Sequence, residues 1–375
     1  MRQREAWVAW CALVLTACSG SMSAKSTAPL YVTTSGALAV ANLDHLIAQQ
    51  RDAAGAEELL LVRARFLADY EALDRASTLA EGRVETGREL LQRAKARSAV
   101  HRFADALTDV NAAEHAGVDA GRSQALRASI LVATGHAGEV VAQLEADAAH
   151  HPGFASRSAL AGAYAALGRY DEADRLYVEA LADLDTTSPF PYAWVYFARG
   201  LMWTEQAGDP ARGEAMYTRA LVHLPEFATA NIHLAELEVA RGELKSAMAR
   251  LESVVASSRE PEALALLGEL HVRTGEAERG SSEIAQARQR FESLLERHPL
   301  AFADHAAEFY LGPGANAERA WVLAQQNLAG RETDRALTLA VQAARATGRK
   351  DEVCALASRV RVRPEQVKDD CQRRP

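Results

Sequence analysis

Between positions 18 and 354 the sequence contains no cysteine; its four cysteines, at 11, 18, 354 and 371, sit in the first 18 and last 22 residues. That distribution excludes both a zinc-ligand set and the disulfide framework of a small stapled fold. Aromatic residues are scarce (6%), and the dense Ala, Leu, Glu and Arg that replace them favour helix over sheet. Eleven prolines and 23 glycines in 375 residues are too few for a disordered chain. The net charge of −8 comes without any long basic run, which argues against non-specific nucleic-acid binding. Catalytic signatures are missing too: there is no HExxH, no GxSxG, no Walker loop and no CxxC. Gly312-Pro313-Gly314 has neither the lysine nor the third glycine of a phosphate loop and reads as an interhelical loop. His150 and His151 are adjacent and cannot share a helix face, while Pro299 interrupts any helix joining His298 to His305. No catalytic residue, metal site or cofactor is therefore expected.

What is present begins with an address. Arg2 and Arg4 precede an apolar run over 6–16, which is too short to span a bilayer as a helix, a task needing about 20 residues. The run closes on Leu15-Thr16-Ala17-Cys18, which resembles the bacterial lipobox. That resemblance implies a signal peptide over 1–17, cleavage before Cys18, diacylglycerol on its thiol and acylation of the new amine. Ser19 follows in place of the aspartate that tends to retain such proteins at the inner membrane, so an outer-membrane position facing the periplasm is expected. A plain signal peptide or an uncleaved anchor is the alternative. Residues 18–36, rich in Ser, Thr, Ala and Gly, read as a flexible tether.

The body of the chain repeats itself. Gly135, Gly168, Gly208, Gly242, Gly275 and Gly348 each follow a helix-like segment at spacings of 33, 40, 34, 33 and 73, the last being 33 plus 40. The clearest unit, 154–187, carries Leu160-Ala161, Tyr164, Gly168-Arg169-Tyr170, Ala173, Tyr177 and Ala180. The unit from Trp194 keeps the same steps with Gly208, Gly213, Tyr217, Ala220 and Pro225. The unit from Ala228 does so with Leu234-Ala235, Gly242, Ala247 and Leu251, and the unit from Pro261 with Leu267-Gly268, Gly275, Gly280, Ile284 and Ala287. Small residues let paired helices approach, large ones fill the gap to the next pair, and glycine supplies the positive φ after a helix C-terminus.

This pattern resembles the tetratricopeptide repeat, W-x2-L-G-x2-Y…A-x3-F…P. Weaker units project outward over 54–86, 87–120, 121–153, 301–333 and from 334, giving nine across about 85% of the chain. The resemblance implies an all-α, right-handed superhelical solenoid of antiparallel helix pairs over 37–361, strongest at 154–293, before a polar tail at 362–375. Two inserts break the period. DLDTTSPFP at 183–191 reads as a loop or a binding edge, and seven extra residues between 278 and 299 lengthen a helix ending at His298-Pro299.

In the resembled family the first helices line a concave face. Carrying that phase over exposes Met202, Glu205, Ile232, Glu236, Ala265, Glu269 and Arg273. Glu205, Glu236 and Glu269 are spaced 31 and 33 apart, either as an acidic stripe beside apolar Met202 and Ile232 or as ordinary surface glutamates. The expected function is a non-catalytic, lipid-anchored scaffold or assembly factor that takes an extended or helical segment of a protein partner in this groove, and not nucleic acid. The alternative is an enzyme or ligand-binding protein with a site in the groove, for which the distinguishing sign is two carboxylates clustered with a histidine. Cys354 and Cys371 either form a disulfide, as the tail folds back, or remain a buried thiol and a free one.

Overall fold

The computed structural model describes residues 31–50, 53–82, 86–363 and 367. Among them every regular element is helical. After α1 (Gly36–Gln49) the helices form nine pairs. These are α2 (Ala53–Leu67) with α3 (Tyr70–Gly82), α4 (Gly87–Ala99) with α5 (Phe103–His115), and α6 (Ala120–Ala133) with α7 (Ala137–His150). Next come α8 (Phe154–Ala166) with α9 (Tyr170–Ala182), α10 (Pro189–Leu201) with α11 (Pro210–His223), and α12 (Ala228–Ala240) with α13 (Leu244–Ser257). The last are α14 (Pro261–Arg273) with α15 (Ala277–Arg297), α16 (Ala303–Leu311) with α17 (Ala317–Gly330), and α18 (Asp334–Ala346) with α19 (Lys350–Ala357). Each helix packs on its pair mate, and the second helix of a pair packs on the first of the next, α15 meeting α16 through side chains such as Phe291 on Phe309.

Local chemistry sets the boundaries. Thr86 and Glu89 form a reciprocal capping box at α4, and Asp209 caps α11 just ahead of Pro210. Inside each pair the turn contains one residue at positive φ. After α8, Gly168 (φ 78°) donates its amide to Ala165, and the next amide, of Arg169, reaches Tyr164. This double closure satisfies carbonyls that the helix end would otherwise leave bare. The same device recurs at Gly135, Gly242, Gly275 and Gly348. Where no turn glycine marks the sequence, Ala68 (φ 49°), His101 (φ 57°) and Ala315 (φ 48°) take the positive-φ place. Ala315 divides the 73-residue gap into 40 and 33.

The two departures from the period also have structural forms. Between α9 and α10 the insert is a loop against which the first described residues lie: Thr34 donates its amide to the Thr187 carbonyl, and the Tyr31 ring sits 5.1 Å from Tyr192. The second insert lengthens α15 to 21 residues, ending at Arg297.

The array does not stay open. Side chains of the first pair enter cores built by later ones: Phe66 packs against Phe190 and Phe227, Tyr70 meets Phe302 edge-on, and Leu60, Ala72 and Leu73 share a core with Phe291, Phe309 and Trp321. Asp74 accepts from His298 at 2.7 Å and from Arg297. From the other end, Arg361 donates to the Gly135 carbonyl and Arg363 to that of Gln206. Both ends of the described chain therefore fold back onto its middle.

Candidate functional site

Five inner helices, α10, α12, α14, α16 and α18, bring their charged side chains together. A π-helical turn at Met202–Gln206 continues α10, and there the Ala207 amide reaches the carbonyl of Met202, five residues back. Such turns are inserts into the α-helical ladder. This one positions Glu205, whose Oε2 accepts from Arg335 Nη1 at 2.5 Å. The other arm of the same guanidinium holds Glu308 Oε1 at 3.0 Å. Arg335, the second residue of α18, thus clasps α10 and α16 together.

His233, on α12, pairs with Glu236 Oε2 at 3.0 Å, lies 3.7 Å from Glu205, and stacks on the Tyr217 ring. Burial opposes its charged form, but Glu236 and Glu205 override burial and hold its pKa at about 9. His305, on α16, is in the same position. Burial again works against the charge, and Asp304 with Glu262 raises the pKa to about 10. Glu262, near the start of α14, loses solvation yet is drawn down to about 2 by His305. Its neighbour Glu260, buried and bonded to the Tyr70 hydroxyl, goes the other way, to about 7, through burial and the repulsion of Glu262. Buried Asp304, in an ion pair with Arg331, is held well below the usual carboxylate range: His305 first and then Arg331 outweigh its desolvation.

Six carboxylates (Glu205, Glu236, Glu260, Glu262, Asp304 and Glu308) face two arginines (Arg331 and Arg335) and two histidines. At its centre the carboxylates of Glu262 and Glu308 and the imidazole of His305 each present a ligand atom, all within 4.8 Å of one another. The side chains of Glu262, His305 and Glu308 keep 27, 35 and 30% of their surface in contact with solvent, so water and small solutes reach them.

The residues expected to form a partner groove are not equivalent. Met202 and Ile232 are 1% exposed and Ala265 is 5% exposed, so their expected place as surface anchors is corrected: they are core. Met202 belongs to a core with Tyr196 and Phe227, and Ala68 shares a core with Ile232. Glu205 is engaged by Arg335. Glu236 and Arg273 remain exposed, and Glu269 is half-buried with its pKa raised by burial. Cys354 is disulfide-bonded, and no other cysteine falls among the described residues; Cys371 lies outside them. Cys18, with the whole of 1–30, also lies outside them, and no described helix is long and apolar enough to cross a membrane.

The sequence reading missed Glu262, Glu308 and the role of His305 because it paired histidines only with histidines. A usable signal was there: His305 and Glu308 stand three apart on one helix, and Glu262 opens the preceding inner helix.

The tetratricopeptide-repeat family matches residues 205–270, the span from the π turn to α14. No curated protein matches the sequence. Similar solved structures include the Cut9–Hcn1 hetero-tetramer of the APC/C at 14% identity and a TM-score of 0.47, covering 86% of this chain and 63% of that one. A tetratricopeptide repeat protein from Parabacteroides merdae is 16% identical, with a TM-score of 0.40 and coverage of 68% and 98%. Tom70 of yeast is 13% identical, with a TM-score of 0.36 and coverage of 90% and 95%.

Proposed function

We propose that the chain is a protein-interaction scaffold or assembly factor, held by lipid on Cys18 at an envelope membrane, with its helical array facing the periplasm. The observation that supports the scaffold reading is the row of nine helix pairs among the described residues, with the match to the tetratricopeptide-repeat family near its centre. A stack of this kind offers a long, rigid surface made of repeated small units, suited to recognising an extended or helical segment. Since Met202 and Ile232 belong to the core and Glu205 is tied to Arg335, the accessible part of the expected groove is Glu236, Glu269 and Arg273. A basic segment fits its two carboxylates.

Two measurements in cells test this reading. Cys18→Ala should leave a precursor that no longer fractionates with membranes; retention of that variant through a carbonate wash would remove the lipid anchor from the proposal. Cross-linking followed by capture should recover a protein partner, and the pair Glu236→Gln with Glu269→Gln should weaken that capture and flatten its salt dependence at unchanged helicity. Undiminished capture would place the contact elsewhere on the array. A second reading, a ligand site within the array, is favoured by one specific observation, the Glu262–His305–Glu308 cluster.

A further inference from the structure

We propose that Glu262, His305 and Glu308 form a binding site for a divalent transition-metal ion, with zinc the best match. The donor set is a histidine nitrogen and two carboxylates. This is the borderline mixture that such ions accept and that calcium or magnesium, which take oxygen ligands, do not need.

Geometry carries the proposal. Nδ1 of His305 is buried and makes no hydrogen bond, although Oε2 of Glu262 lies 3.4 Å away. That separation is long for a hydrogen bond. It is also the spacing of two ligands held about 2.1 Å from a tetrahedral ion, roughly 3.4 Å. The third donor, Glu308, projects from one turn further along the same helix, and the full set lies within 4.8 Å. Closing it onto one ion requires the three side chains to turn toward a common point. Part-exposure of all three leaves a path for the ion and a fourth position for water or a solute.

Charge supports the same conclusion. Around the three ligands, Glu205, Glu236 and Asp304 add further carboxylates, against the guanidinium groups of Arg331 and Arg335, so the surroundings are acidic and suited to a cation. Arg335 Nη2 reaches both oxygens of Glu308, at 3.0 and 3.3 Å, so an ion would take one of them in place of one of these two bonds. Oδ1 of Asp304 stands 4.0 Å from Nε2 of His305 and adds a further carboxylate to the surroundings of the ring.

The test uses the purified full chain with its thiols alkylated, so that cysteine cannot compete. Titration calorimetry with zinc at pH 7.5 should give one ion per chain with proton release, and cobalt(II) should give visible absorption bands of a nitrogen- and oxygen-ligated ion. His305→Ala and the near-isosteric Glu262→Gln and Glu308→Gln should each weaken zinc binding at least tenfold, whereas His151→Ala, on an exposed turn, should leave it unchanged. Circular dichroism identifies any variant that fails to fold, and the two glutamine variants then carry the comparison. Absence of zinc binding below about 100 µM in the parent chain, or equal binding by folded Glu262→Gln and Glu308→Gln, would overturn the proposal.

Discussion

The closest backbone approach inside a repeat yields the sharpest prediction. Gly268 on α14 faces Gly280 on α15, and a Cβ placed on Gly280 would stand 2.3 Å from the Gly268 carbonyl oxygen and 2.8 Å from the amide nitrogen of Val272. Ordinary contact begins near 3.4 Å, so Gly280→Ala must push α15 away by about 1.1 Å, the difference between 3.4 and 2.3. The obstacles are backbone atoms of a helix and cannot rotate aside. Overpacking of this kind costs about 1–3 kcal/mol, against which alanine returns about 1 kcal/mol of helix propensity. The shift also stretches the 2.6 Å bond between fully buried His271 and Glu283, adding about 1–2 kcal/mol. The net expectation is a loss of about 2 kcal/mol. It should be read as a lower urea midpoint by circular dichroism and faster amide exchange over α14 and α15. Gly138→Ala, in a helix where an added Cβ meets nothing, serves as the control and should be neutral or slightly stabilising. A Gly280→Ala chain as stable as the parent would refute the close-packing argument.

Three further outcomes follow from the geometry. Ala315→Gly should stabilise the chain by about 0.5–1 kcal/mol, since relief of the left-handed strain exceeds the added unfolded-state entropy; a lower urea midpoint would contradict it. For His233 the folded pKa of about 9 exceeds the ordinary imidazole value of 6.5. Its contribution is therefore complete below pH 6.5 and lost as pH rises through 9, an effect of up to about 3 kcal/mol; urea midpoints at pH 6 and 9.5 should differ, and His233→Gln should shrink the difference. Thiol labelling of the denatured, unreduced chain should leave Cys354 unmodified, and its labelling would break the bond assigned to it.

The repeat was legible where its turn residue was glycine and faint where it was not. Every intrahelical-pair turn needs one positive-φ residue, and six of them advertise it with Gly135, Gly168, Gly208, Gly242, Gly275 and Gly348. At Ala68, His101 and Ala315 tertiary packing imposes the same conformation on residues that do not favour it, so the units around them looked generic. The groove was less legible for two physical reasons. A π turn over Met202–Gln206 adds one residue to the helical phase, which a strict 3.6-residue count does not anticipate. Burial of Ile232 involves Ala68, more than 160 positions away, and repeat periodicity describes only neighbours. Arg335 with Glu205 is a similar case, a contact across 130 positions.

Because its ends return to its middle, this array should not unfold like a linear one. In an open solenoid each unit senses only its neighbours, so stability is nearly a sum along a line and the terminal units fray first. Here Phe66 on Phe227, Asp74 on His298 and Arg335 on Glu205 add couplings between units far apart in sequence. Such couplings raise the contact order, slow folding through the entropy of closing long loops, and tie the first pair's melting to that of the sixth and seventh. The terminal pairs then act as keystones of a closed arch, and trimming either end would loosen units in the centre of the chain.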